Sequence, residues 1–353
     1  MKISIIIGCY NVANFLREKK LSCILNQTYA NFEVLLVNDG STDETLSICR
    51  ELADSDSRIK VFSKENGGLG SARNMGLDSA SGDYIWFYDV DDEVELNLLE
   101  VCVSKLQENN GTQMLMFGFN VISVTSKRKD TVKFDYKKYK TNEDIKQSYL
   151  DLFVNVPHGN GFNWNKMYSR YFIEEHGFRF GDNRIQQDEV FNVQFYPILD
   201  NFLVLQDVLV NYFVYASGNA RSRYISNRLE IFSNVNSKLN SFNDNWLKSD
   251  FYSRKVASNY FHSFLYCIRF NLPHPDKPMT YQERLEWLRK SIDEFDVVQR
   301  IEPALLTCIE DKVWAVLIKR NNPKLMISYR WLMSLLRKLK SILLKWPKFM
   351  DSK

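Results

Sequence analysis

The chain has 353 residues, enough for one large domain or two ordinary ones with a proper core. Its 45% hydrophobic and 25% charged composition is that of a globular protein and excludes wholesale disorder. The net charge of +3 joins two unlike parts: residues 312–353 carry +10 and the remainder −7, so the body lacks the basic balance of a nucleic-acid binder, while the tail suggests an anionic surface.

Over the first hundred residues the pattern predicts alternating strands and helices. Ile3–Ile7 is a continuous apolar run, as expected of a strand covered on both faces. Asn14 to about Asn26 reads as a helix with Phe15, Leu21, Ile24 and Leu25 on its apolar side, and Phe32–Val37 is the second strand. Ser41, with Glu44 three residues on, is a capping box that opens a helix through about Ala53. Ile59–Phe62 is a short third strand, a helix starts near Gly70, and Asp83–Tyr88 is the fourth strand. Such alternation with short loops implies an α/β, Rossmann-like domain, its mostly parallel sheet flanked by helices and wound with right-handed crossovers. Ligands in such sheets bind beyond the carboxyl ends of the strands, where Tyr10, Asn11, Asp39, Arg73, Asp89 and Asp91 all fall.

The fourth strand, Tyr84-Ile85-Trp86-Phe87-Tyr88-Asp89-Val90-Asp91-Asp92, is an apolar run that ends in three carboxylates. Alternate side chains of an extended chain share a side, so Asp89 and Asp91 are expected to point into one pocket. Two carboxylates held that way suit Mg2+ or Mn2+, which takes oxygen ligands and often substrate phosphates as well. Asp92 reads as the cap of the helix that follows, with Glu95 completing a capping box. Gly67-Gly68-Leu69-Gly70 lets the backbone approach a ligand and leads into a helix N-terminus, a good place for phosphate oxygens. It does not match GxGxxG and does not follow the first strand, which disfavours a nicotinamide oxidoreductase. Arg73, in the first turn, can pair with a diphosphate or with a neighbouring acid.

Taken in order, Ile3 to Asn11, Val37 to Asp43, Asn66 to Asn74 and Asp89 to Asp92 resemble the motifs of the family 2 glycosyltransferases of the GT-A fold, of the bacterial surface and capsular polysaccharide type. The resemblance is strong over about the first 95 residues and weaker from about 160 to 195. It implies an inverting, metal-dependent enzyme with a nucleotide-sugar donor, a UDP-sugar, and a glycan or lipid-linked glycan acceptor. Carried onto this sequence, it puts Asp39 on the uracil, Tyr10 against the base, Asn11, Gly68, Arg73, Asp89 and Val90 in the donor site, and Asp91, with Asp89, on Mn2+ or Mg2+. The family usually has Asp at Asn38 and Pro at Gly8. A sugar nucleotidyltransferase would carry a Gly-rich, Arg-containing loop directly after the first strand, where this chain has Gly8-Cys9-Tyr10-Asn11; a non-catalytic nucleotide-sugar-binding protein stays open.

Further along, Leu96 to about Asn109 reads as a helix, Gln113–Asn120 as a strand, and residues 126–147 as an exposed, Lys-rich loop. Trp164 to Tyr168 resembles the segment before the acceptor site. Asp188 to Asn192 resembles the family's Glu-Asp motif, with Gln187 at the usual Glu position. This register makes Asp188 the catalytic base and Glu189 the alternative; both also charge the first turn of a helix. Residues 202–215 read as a strand whose Tyr212 and Tyr215 line an acceptor cleft, and Ser217 to Tyr224 as a basic loop. The expected partition is a donor half over 1–110, an acceptor half over 111–225, a helical region over 226–320 and a basic amphipathic tail over 321–353.

In that tail Trp331, Leu332, Leu335, Leu336, Leu339, Ile342, Leu343 and Trp346 recur at helical spacing, opposite Arg337, Lys338, Ser341, Lys345 and Lys348. This describes a helix lying in a membrane interface, or else one docked on the body or on a partner chain. The six cysteines form no CxxC pair, hence no zinc or redox motif. The apolar run after Lys2 is too short for a signal-peptide core, and no stretch approaches the ~18 apolar residues of a membrane span. The expected location is the cytoplasm, at the inner face of the membrane.

Overall fold

Continuous apolar runs become the centre of a sheet. In a computed structural model, which describes residues 1–18, 21–215 and 224–343, the strands β1 (Ile3–Cys9) and β2 (Phe32–Asp39) pair in parallel with Ile3 opposite Phe32, and β2 is buried along its whole length. Each Val, Leu or Ile side chain taken out of water there contributes about 1.5–3 kcal/mol. The parallel set continues with β3 (Ile59–Lys64) beside β2 and β4 (Tyr84–Phe87) beside β1.

The remaining strands are β5 (Glu93–Val94), β6 (Met114–Ser123), β7 (Lys129–Val132), β8 (Lys137–Tyr139), β9 (Lys166–Ser169) and β10 (Phe202–Val214). The sheet order is β3-β2-β1-β4-β9-β6-β10-β5, with β7 beside β6 and β8 beside β10. β9 runs antiparallel to both β4 and β6, while β6 and β10 are parallel. Mixing thus begins where the second half joins the first. Residues 126–147 are not the loop their Lys content suggested. β7 and β8 hydrogen-bond onto β6 and β10, Val132, Tyr139 and Ile145 are buried, and Thr141 caps a helix at Asn142–Tyr149.

The chain divides into two compact units, Met1–Ser222 and Arg223–Lys353. The second is helical, built from Arg228–Phe242, Asp250–Tyr266, Tyr281–Glu294, Val297–Ile301, Ile309–Lys319 and Pro323–Leu343. Thr280 and Glu283 form a reciprocal capping box at the start of Tyr281–Glu294. The tail helix leaves its apolar face uncovered: Trp331 is 64% exposed, and Leu332, Leu335, Leu336 and Leu339 are exposed as well. No helix among the described residues is long and apolar enough to cross a membrane. Residues 217–223 of the predicted basic loop, and the tail beyond Leu343, lie outside the described residues.

Candidate active site

The strand ends β1, β2 and β4 and the start of the helix Leu69–Ser79 converge, as the sequence pattern required. Gly40 ends β2 with φ +67°, and a Cβ there would stand 2.7 Å from the Asn66 nitrogen. This close turn brings Asp39 against the glycine loop. Its carboxylate, almost wholly covered, accepts the Gly67 N–H at 2.9 Å, the Gly68 N–H at 2.7 Å and the Lys64 ammonium at 3.1 Å. Asn66 closes the turn by donating to the Asp39 carbonyl at 2.9 Å. Asp39 therefore anchors the loop that the sequence reading gave to phosphate.

Asn11 adopts φ +53° and ties β1 to the loop after β2: its N–H donates to Ser41 Oγ at 3.1 Å, and its Oδ1 accepts the Thr42 N–H at 2.8 Å. Ser41 is thus engaged by Asn11, and the capping box predicted with Glu44 does not form. The helix instead begins at Thr45, whose N–H donates to Asp43 Oδ1 at 3.0 Å. Tyr10 stands half-buried beside Asn11.

β4 stops at Phe87, and Asp89 to Asp92 form a turn closed by the Asp92 N–H on the Asp89 carbonyl at 3.1 Å. Strand alternation therefore does not set the directions of Asp89 and Asp91. Asp92 does not cap the next helix, which starts at Leu98; its Oδ1 accepts the Phe213 N–H of β10 at 3.0 Å. Val90 is buried, and Asp89 and Asp91 are half-buried.

Arg73 decides the arrangement. It is 1% exposed and packs against the touching rings of Phe87 and Phe180, at 5.6 and 5.3 Å from their centroids. Its Nη2 donates to Asp89 Oδ1 at 2.9 Å and its Nη1 to Asp188 Oδ1 at 2.6 Å. Burial works against its charge, but Asp188 and Asp89 outweigh that and raise its pKa above the ordinary value. Burial raises Asp89 despite Arg73. Asn74 locks the neighbouring segment, exchanging two 2.9 Å hydrogen bonds with the Phe180 backbone.

Asp188 and Glu189 lie in the first turn of the short helix Gln187–Asn192. Asp188 Oδ2 accepts the Asn163 N–H at 3.4 Å. Asn163 is buried, accepts the Tyr168 hydroxyl at 3.1 Å, and leaves its own Nδ2 without a partner. Phe162, Trp164 and Tyr212 form a stacked aromatic layer with centroids 4.7 and 5.2 Å apart, while Tyr215 meets Phe15 at 5.9 Å. Lys166 is fully buried in β9 and donates to the carbonyls of Asn160 and Phe162 and to Asn165 Oδ1; burial pulls its pKa down to about 7, against the pull of Asp188.

Arg184 is not singled out by the sequence, and Lys166 and Gln187 enter it only as members of the acceptor-side motifs, with no role of their own. Exposed Arg184 has its Cγ 3.7 Å from where a Cβ on Gly68 would stand, and Gln187 crowds Gly70. No spacing rule links these positions to the glycine loop.

Burial pushes Glu189 up to about 7. In the unfolded chain it ionises near its ordinary value, so between roughly pH 4.5 and 7 the folded state binds more protons and stability falls as pH rises. Glu189→Gln should therefore raise the melting temperature by several degrees at pH 8, from about 1–3 kcal/mol, and by almost nothing at pH 4.5. Scanning calorimetry at both pH values checks this; an equal shift at each would show that Glu189 is not enclosed.

Residues 4–177 match the family model described as Glycosyl transferase family 2. Over that segment the chain belongs to glycosyl transferase family 2. It is 32% identical over 224 residues to the glycosyltransferase GlyA of Streptococcus pneumoniae, covering 60% of this chain and 30% of GlyA. It spans no more than 61% of the length of EpsH from Bacillus subtilis, which it matches at 30% identity. The fold is similar to that of Staphylococcus aureus TarS, solved in complex with UDP-GlcNAc: TM-score 0.58, 19% identity, 96% of this chain and 92% of that one. The architecture is GT-A, a central mixed sheet flanked by helices and followed by a helical region.

Among the described residues no three His, Cys, Asp or Glu side chains gather as an all-protein metal site. The turn does offer hard oxygen donors: Asp91, and Asp89, which gives Oδ1 to Arg73 and keeps Oδ2. Two carboxylates completed by substrate phosphates is a common arrangement for Mg2+ or Mn2+, so these residues fit such an ion.

Proposed function

We propose that this chain is an inverting glycosyltransferase that moves a sugar from a UDP-sugar to a hydroxyl of a glycan or lipid-linked glycan, in the building of a bacterial surface polysaccharide. The observation that carries the reading is the meeting of Asp89, from the turn after β4, and Asp188, from the second half, on the buried Arg73. In this reading one carboxylate serves the donor and a separate one the acceptor. TarS supports the donor class, having been solved with UDP-GlcNAc, and the mannosyltransferase PcManGT of Pyrobaculum calidifontis, solved with GDP-Man and Mn2+, supports the cation (TM-score 0.50, 12% identity).

Each residue then has a task. Tyr10 and Asn11 border the base, and Asp39 exchanges its hold on the glycine loop for a base N–H as the donor enters. Gly68 admits the diphosphate to the helix start, with Val90 packed below. Arg73 is given a different role from the direct diphosphate contact that its position in the motif implies: it holds Asp89 and Asp188 in register. A divalent cation on Asp91, assisted by Asp89, would neutralise charge on the leaving diphosphate. Asp188 Oδ1 is held by Arg73 at 2.6 Å and Oδ2 only by the longer Asn163 N–H contact at 3.4 Å, so Oδ2 is the atom that takes the proton of the acceptor hydroxyl as it attacks the anomeric carbon from the opposite face.

The deciding assay is UDP release from a panel of UDP-sugars, with and without lipid-linked glycan acceptor and Mn2+. Release that needs both fits the proposal; UTP formation from the UDP-sugar and added pyrophosphate instead, or UDP release indifferent to acceptor, rejects it. For the donor site, Asp39→Ala should weaken UDP binding by about ten- to a hundred-fold, since losing a charged hydrogen-bonding partner costs on the order of 1.5–3 kcal/mol. Unchanged affinity by calorimetry would remove Asp39 from the donor site.

We also place the tail helix on the anionic inner leaflet from the cytoplasmic side. Its first turns pack on the helices Tyr281–Glu294 and Ile309–Lys319, with Met326 buried, while the uncovered Trp331, Leu332, Leu335 and Leu336 beyond them, in a strongly basic segment, support the membrane as their cover.

A further inference from the structure

Several arginines of the helical unit have oxygen partners. Arg269 and Arg337 share Glu310, and Arg300 donates to the Ser233 carbonyl and to Asn236 Oδ1. Arg284 and Arg330 differ. They lie on the helices Tyr281–Glu294 and Pro323–Leu343, which pack on each other, near enough for the Arg284 charge to act on Arg330, and among the described residues neither side chain pairs with a carboxylate or a carbonyl. The Nε of Arg284 is buried and has no hydrogen-bond partner. Burial, together with the Arg284 charge, lowers the pKa of Arg330. Two like charges, each half-buried and near one another, with one enclosed donor unsatisfied, are unfavourable unless an anion joins them. Guanidinium forks match phosphate oxygens two at a time. The residues next along the tail helix, Trp331 and Leu332, are exposed and apolar, so an anion bound here sits beside a surface suited to acyl chains.

We propose that Arg284 and Arg330 form a site for the phosphodiester of an anionic lipid headgroup. The site rests on the membrane reading of the tail helix and adds to it a defined phosphate contact, where that reading needs only diffuse attraction. A basic residue near an anionic surface strengthens binding roughly five-fold through charge alone. A built site should exceed that.

The test uses the full chain and vesicles of phosphatidylglycerol and phosphatidylcholine. Arg284→Gln with Arg330→Gln should weaken binding by more than about 25-fold, while Arg289→Gln with Lys290→Gln, which removes the same charge from exposed positions of the same helix, should weaken it much less. The first pair should keep or raise the melting temperature, since it removes repulsion between two half-buried like charges. Equal losses in the two pairs would leave only diffuse attraction and overturn the site. A wild-type chain that ignores the vesicles would overturn the membrane reading itself. Stabilisation of the wild type by inorganic phosphate over chloride at matched ionic strength, with vesicle binding unaffected by the first pair, would assign the arginines to a free phosphate and overturn the lipid.

Discussion

Asp188→Asn should lower the transfer rate by about 100-fold or more while leaving UDP affinity nearly unchanged, because general-base catalysis typically contributes 10²–10⁴. Asparagine keeps an oxygen for Arg73 Nη1, and Asp89 still supplies a counter-charge, so the melting temperature should fall by only a few degrees. Glu189→Gln is the companion experiment. Successive helical residues point about 100° apart, so only one of the two acids can face the acceptor hydroxyl. Asp188 is the one tied to the donor side through Arg73; Glu189 lies against Gly161 and makes no such link. Single-turnover rates and calorimetry on both variants check the assignment. A dead Glu189→Gln beside a normal Asp188→Asn would move the base by one residue, and two active variants would move it elsewhere.

Asp91→Asn should cut transfer by on the order of 10²–10⁴, the scale of several kcal/mol of charge stabilisation by a metal, and excess EDTA should do the same to the wild type. The two losses should not multiply: EDTA added to the variant should change little. Asp91 lies in a partly exposed turn, so the fold should survive, with an unchanged circular dichroism spectrum and melting temperature. Full turnover in EDTA, or near-normal turnover in Asp91→Asn, would refute the cation's role.

Much of this was legible in the sequence. The apolar runs and the short loops between them specified β1 to β4, and the motifs at their ends pointed to one crevice. What failed were local rules overruled by distant partners. Ser41 and Asp92 carry capping patterns, but Asn11 and Phe213 engage them instead. Asp89 and Asp91 read as strand neighbours until a turn intervened. Arg73 and Asp188 are 115 residues apart, and nothing in the spacing of either motif reports their 2.6 Å hydrogen bond. The Lys-rich stretch after Ser126 shows the same limit, since composition does not reveal that a sheet edge nearby has open hydrogen bonds for β7 and β8.

The position of β10 has a consequence for how the protein is made. The segment that defines the family ends at residue 177, yet β10 lies inside the sheet, between β6 and β5, and its Phe213 N–H engages the Asp92 carboxylate. A nascent chain released up to residue 177 would expose the edge of β6, and its Arg73 would have only one of its two counter-charges. The segment that matches the family model is therefore not expected to fold as an autonomous unit. Cotranslational closure has to wait until about residue 214 has cleared the exit tunnel, and an expression fragment cut at the family boundary should aggregate through its open strand rather than behave as a small donor-binding domain.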